Sequence, residues 1–411
     1  MLVDKAQGPR GEDRIARPVM PELDTVRGVA ILMVFVFHAF EDFAPAGATI
    51  PLWERLLLSA ASLGWAGVNL FFVLSGFLIT GILLDGADRP RYYSRFYFRR
   101  ALRILPAYYL LIAVLLLVSK ISFVTHRTSW AFAGLSFVYL SNITPLLGVA
   151  RDYAPLWSLA VEEHFYLVWP AAVRQLRGKL AIAAGLVCVC EPLLRAFCVA
   201  RGGLWWGPYT WLSADGLALG ALLAIFARSS RASRANLLKL AGVSGLLAIG
   251  MIAVSVGVQR TASISLRATC VNYASLSVVA VVLWVGTGRY RRLVNLRLLV
   301  FYGFISYGLY LIHPLFFRLY NDAAVAFVPV LRADQSFAKC ILRLPVVLVI
   351  ATAVAYFSRT TYEEFFLRMK DMLGTQGEGA QRAQGAEAVR PAEGVIGELV
   401  PGSQSEIAPS E

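Results

Sequence analysis

Val26 to Phe43 reads VRGVAILMVFVFHAFEDF. A run of this length and apolarity can cross a bilayer as one helix, which needs about 20 mostly apolar residues. Only Arg27, His38 and the closing Glu41 and Asp42 can ionise, and Gly28 to Phe37 carries no charge. His38 follows Arg27 by eleven positions. On a helix that is about 16 Å along the axis but only about 20° around it, so the two share a face. Glu41 and Asp42 stand at i+3 and i+4 from His38, close enough to orient its ring.

Runs of this kind recur outward from residues 26–43. Further apolar stretches fall at roughly 64–84, 101–120, 156–173, 180–198, 211–227, 237–257, 268–287, 299–320 and 340–358. Of the 411 residues, 58% are hydrophobic and 16% charged. A soluble domain of that size could not keep so much apolar surface from water. The expectation is an all-α polytopic membrane protein of about ten transmembrane helices. Residues 130–150 are apolar too, but Asn142, Pro145 and Gly148 interrupt them. They read as a re-entrant or outer lid segment, with a full extra span as the rival.

Loop charge sets the orientation. Basic clusters lie at Arg89 to Arg103, at Arg174, Arg177 and Lys179, at Arg228 to Lys239 and at Arg289 to Arg297. The alternate loops are poorer in basic residues, with Arg55, Arg127, Arg151, Arg201 and Arg260 scattered singly. Ten spans with both termini cytoplasmic place every cluster inside, whereas an extra span at 130–150 would invert the later loops. The net charge of +13 therefore reads as topogenic, and nucleic-acid binding is not expected.

Three regions follow: a cytoplasmic segment 1–22, a transmembrane domain 23–370 and a tail 371–411. The tail is rich in Gly, Ala, Glu, Gln, Pro and Ser, and is expected to be disordered and cytoplasmic. No cleavable signal peptide is evident, so the first apolar run reads as a retained span. The five cysteines lie in apolar runs without zinc or redox spacing, and no metal is expected.

Ionisable residues inside spans are costly and usually mark function. The fourth apolar run opens Leu156-Trp157-Ser158-Leu159-Ala160-Val161-Glu162-Glu163-His164. The ninth contains Tyr307-Gly308-Leu309-Tyr310-Leu311-Ile312-His313-Pro314, and Asp215 opens the sixth. By the assigned topology His38, Glu162, His313 and Asp215 come to similar depth in the outer half. Arg99, Arg100 and Arg103 crowd the inner mouth of the third run. Such a cluster suits phosphate binding, though topogenic anchoring explains it equally well.

Taken together these segments resemble the bacterial membrane-bound acyltransferase family 3, which acylates O-antigens, Nod factors and exopolysaccharides. The resemblance rests on the Arg27–His38 spacing, on Gly67 to Ile79 with Ser75, on Arg99 to Pro106, on Trp157 to Pro170 and on Tyr307 to Pro314. It runs from about residue 21 to 370. Two departures stand out: Trp211-Leu212-Ser213-Ala214 precedes Asp215 where an Arg is common in the family, and Glu363-Glu364-Phe365-Phe366 lacks a proline.

The resemblance implies an O-acyltransferase of the bacterial cytoplasmic (inner) membrane. It would carry an acyl group, commonly acetyl, from acyl-CoA as co-substrate to a glycan, lipid-linked or secreted sugar at the outer face. No bound cofactor is expected. In this reading His38 is the general base. Glu162 orients it or positions the acceptor, and a covalent acyl-His38 intermediate is a variant. Arg27, Arg99, Arg100 and Arg103 hold the CoA phosphates. Ser75, His313, Glu41 and Asp215 support the site. The rival of another class is a proton-coupled transporter relaying protons through buried His and Glu, against which the absence of internal repeats weighs. A membrane sensor or scaffold is a third.

Overall fold

The computed structural model describes residues 15–17, 20–41, 43, 50–201, 209–257, 260–328 and 337–369. The tail 371–411, Asp42 and nearly all of segment 1–22 before Met20 lie outside the described residues. Of the described residues 82% are helical and none is in a strand.

The helices are α1 Pro21–Phe40, α2 Leu52–Ser62, α3 Ala66–Asp85, α4 Tyr92–Val118, α5 Trp130–Phe137, α6 Leu156–Leu176, α7 Leu180–Ala200, α8 Asp215–Phe226, α9 Arg234–Gly257, α10 Arg260–Gly286, α11 Arg297–Phe327 and α12 Phe337–Thr360. Each of the ten expected stretches coincides with one of them. Eight stretches are long and apolar enough to cross a bilayer. One of these, residues 156–200, holds two helices, because α6 and α7 are separated by a tight turn at Arg177–Lys179. Arg177 takes a left-handed φ of 39° there. At 12 residues, α8 is shorter than a span.

Residues 130–150 form no span. They hold the eight-residue α5 and a 3-10 turn at Thr144–Leu147. Ser129 caps α5 by accepting from the Phe132 N–H, as N-cap serines do. The segment is pinned to the bundle. The Tyr108 hydroxyl donates to the Ser136 carbonyl, and Tyr139 stacks on Tyr108 at 4.3 Å between centroids. Tyr153 donates to the Leu311 carbonyl at 2.6 Å. An unexpected element is α2, whose Leu52, Trp53, Leu56 and Leu57 are exposed.

Helix contact in lipid favours small residues that let backbones approach. That device joins α1 to α11 and α3 to α8. A Cβ at Gly28 would collide with the Leu299 carbonyl, and one at Gly303 with the Asp24 carbonyl. Likewise Gly76 faces the Leu217 carbonyl and Gly220 the Val73 carbonyl. The basic loops gather at one end of the bundle. Arg228 grips Asp85 with two bonds of 2.7 and 2.6 Å, Arg234 donates to Thr287, and Arg17 to the Gly286 carbonyl.

Candidate functional site

Close packing of α1 on α11 brings His38 to His313. His38 Nδ1 lies 2.9 Å from the Val34 carbonyl and 3.2 Å from His313 Nε2. His313 is fully buried, and its Nδ1 lies 2.9 Å from the Leu309 carbonyl. Backbone carbonyls only accept, so hydrogen bonding assigns the proton to Nδ1 in both rings. His313 Nε2 then accepts from His38 Nδ1–H. His38 Nε2 keeps its lone pair, 3.7 Å from the Glu41 carboxylate.

That imidazole faces a cavity of about 560 Å³. Glu41, Trp65, Asn69, Trp157 and Asp215 stand around it with His38. Asn69 donates to the Asn272 side chain at 2.7 Å, which fixes both amides at the wall. Arg151 stands at the rim, where partial burial draws its guanidinium down from the ordinary range, against an opposing effect of Tyr209.

A second, smaller cavity of about 100 Å³ lies between α1, α3, α4, α6 and α11. Arg27, Ser75, Arg100, Arg103, Glu162 and Tyr307 line it. Ser75 donates to Glu162 at 3.1 Å, and Tyr166 donates to the other carboxylate oxygen at 2.8 Å. Arg100 lies over the Tyr166 ring at 4.0 Å, and its Nε is buried without a hydrogen-bond partner. Arg27 pairs with Asp24 at 2.9 Å. The two cavities share Val68, Phe72 and Tyr310.

Two expectations need correction. Glu162 is not the partner of His38; it belongs to the arginine cavity. Glu162 lies one turn beyond Ser158, which bonds Tyr310 where the two cavities adjoin, so its carboxylate meets Ser75 and Tyr166 on the arginine side. Arg99 is exposed and lines neither cavity, so only Arg100 and Arg103 of that trio do. Asp215 lines the histidine cavity as expected of a supporting residue, and Arg195 of α7 pairs with it, with bonds of 2.5 and 3.2 Å.

The Arg195–Asp215 pair was not legible in the sequence, and it sits in a buried polar group. Arg195 also donates to Thr269 and to the Leu212 carbonyl, and Glu191 accepts from the Asp215 N–H at 2.7 Å. Two ionisable residues, Glu191 and Arg195, within an apolar run were the available signal. Among the described residues no group of His, Cys, Asp and Glu is arranged to hold a metal ion.

The acyltransferase domain family model matches residues 20–359, and the chain belongs to that acyltransferase 3 family. It is similar to the peptidoglycan O-acetyltransferase OatA of Listeria monocytogenes, 33% identical over 172 residues, covering 38% of this chain and 25% of that protein. It is also similar to the O-acetyltransferase OatA of Staphylococcus aureus, 26% identical over 324 residues, covering 72% of this chain and 50% of that protein. The chain thus spans a quarter to a half of the length of these relatives. No solved structure matches it.

Proposed function

We propose that the protein transfers an acyl group, most simply acetyl, from acyl-CoA to a hydroxyl of a glycan. The observation that carries this reading is a pair of chambers that share Val68, Phe72 and Tyr310, one lined by Arg27, Arg100 and Arg103 and the other by His38, whose Nε2 lone pair is free. Relatives named as O-acetyltransferases, one of them for peptidoglycan, support the acyl group and the acceptor class.

In this mechanism Arg27, Arg100 and Arg103 hold the CoA phosphates, for which the planar guanidinium fork is suited. The pantetheine arm extends toward His38, over a distance of about 16 Å between Arg27 and His38 along α1. The acceptor hydroxyl gives its proton to His38 Nε2 as its oxygen attacks the thioester carbon. The carbon–sulfur bond then breaks, and the leaving thiolate takes that proton back from the imidazolium. The products are an O-acyl ester and CoA. His38 Nδ1–H stays bonded to the Val34 carbonyl and His313 Nε2 throughout, which fixes the tautomer. Glu41 faces the ring where positive charge forms. The Arg195–Asp215 pair and Asn69 form the acceptor-side wall.

This function places the protein in the cytoplasmic membrane with the arginine chamber open to the cytosol. The test is CoA release by purified protein from acetyl-CoA in the presence of membrane-derived glycan, together with acetyl ester on the glycan. A proton-coupled transporter would release none.

A further inference from the structure

The cavity that holds His38 is lined by three arginines and two carboxylates, and their pairing is uneven. Asp215 is taken up by Arg195, whose other bonds go to Thr269 and the Leu212 carbonyl. Glu41 stands 3.7 Å from His38. Arg151 and Arg267 are left over. Among the described residues neither guanidinium has a hydrogen-bond or ion-pair partner.

The two reach the cavity from separate elements. Arg151 stands between the 3-10 turn Thr144–Leu147 and α6, and Arg267 lies near the start of α10. Both are exposed where they line the cavity, so their donors stay accessible. In the orientation set by the basic loops both lie on the outer side, where basic residues have no anchoring role. The topogenic explanation that covers Arg89 to Arg103 therefore does not cover them. A guanidinium offers only donors, in a planar fork that matches a carboxylate or a phosphate. The remaining wall suits a sugar. Trp65 and Trp157 give it broad apolar side chains, and Asn69, after its one bond to Asn272, keeps a further donor and an acceptor.

We infer that Arg151 and Arg267 bind an acidic group, a carboxylate or a phosphate, on the acceptor glycan, so that the enzyme takes an anionic sugar in preference to a neutral one. This rests on the acyl-transfer reading above, in which the acceptor occupies the histidine cavity. The anion is held by the two forks while a neutral hydroxyl of the same glycan reaches His38 Nε2. Each substrate then has its own arginines: Arg27, Arg100 and Arg103 serve the donor, Arg151 and Arg267 the acceptor.

The test uses the purified full chain with acetyl-CoA and three forms of membrane-derived glycan: untreated, with carboxyls converted to methylamides, and with phosphates removed by cold hydrofluoric acid. Wild-type kcat/KM for the acceptor should fall about tenfold in one treated form, and which one identifies the acid. Arg151→Gln and Arg267→Gln should each raise the acceptor KM about tenfold on untreated glycan, leave the KM for acetyl-CoA unchanged, and add nothing on the neutralised glycan. Arg151→Lys should keep part of the wild-type affinity, because the charge survives. Added salt should raise the acceptor KM of wild type more than that of Arg151→Gln. Both residues are exposed, so the variants should fold. Equal wild-type kcat/KM on all three glycans, or a Gln-variant penalty as large on neutralised as on untreated glycan, overturns the inference. Failure of wild type to release CoA with any of the three overturns the acyl-transfer reading itself.

Discussion

His38 Nδ1 and His313 Nε2 lie 3.2 Å apart, with ring planes at 72° and centroids 4.8 Å apart, although 275 positions separate them in the chain. The contact decides which nitrogen of His38 is free. In the proposed mechanism His313 is a positioning residue that acts through His38.

His38→Ala should insert and fold yet lose about 10²–10⁴-fold in acyl transfer, the usual loss on removing a general base. His313→Ala should lose roughly tenfold, the equivalent of one buried hydrogen bond. Acyl transfer by purified variants, with circular dichroism for folding, measures both. A His38→Ala protein with near-wild-type turnover would remove the catalytic role.

Arg100→Gln and Arg103→Gln should raise KM for acyl-CoA and leave the acceptor KM near wild type, since a lost phosphate contact weakens binding of one substrate. Arg99→Gln should do little, because Arg99 is exposed and lines neither chamber. Initial rates with each substrate varied in turn distinguish the two outcomes, and an Arg99→Gln effect as large as that of Arg100→Gln would contradict the chamber.

Arg195→Ala should destabilise the protein by about 3–5 kcal/mol, because it strands the Asp215 carboxylate in the interior. Asp215 is 1% exposed. Replacing both, Arg195→Leu with Asp215→Leu, should recover much of that loss. Thermal unfolding in detergent measures the pair, and a double variant no more stable than Arg195→Ala would refute this account.

Impermeant thiol reagents should label Trp130→Cys but not Ser230→Cys in intact cells, in a chain stripped of its five native cysteines. The basis is the arginine-rich loop beside Ser230. Labelling at Ser230→Cys alone would reverse the orientation.

Much of the fold is legible because span length and helical periodicity are local. The Arg27–His38 face follows from 100° per residue, and α1 carries both residues to the chambers they line. What single-chain spacing cannot supply is the pairing of distant helices. Arg195 meets Asp215 because α7 packs on α8, not because of any residue just before Asp215. Glu162 was expected at the depth of His38, yet α6 carries it one turn beyond Ser158, to Ser75 and Tyr166. The turn at Arg177 and the short α8 likewise depend on neighbours and not on hydropathy.

The contact of α1 with α11 at Gly28 and Gly303 has a mechanical consequence. Main chain touches main chain there, so the approach of the two helices does not rely on side-chain rotamers, and the Nδ1 contacts to the Val34 and Leu309 carbonyls hold the two rings. Sliding α1 by one residue along α11 would shift His38 by about 1.5 Å and swing it by about 100°. The two helices therefore act as a fixed jaw, and any opening that admits a bulky sugar must be made by other walls of the bundle. A spin-label pair on α1 and α11 should accordingly hold one narrow distance through turnover.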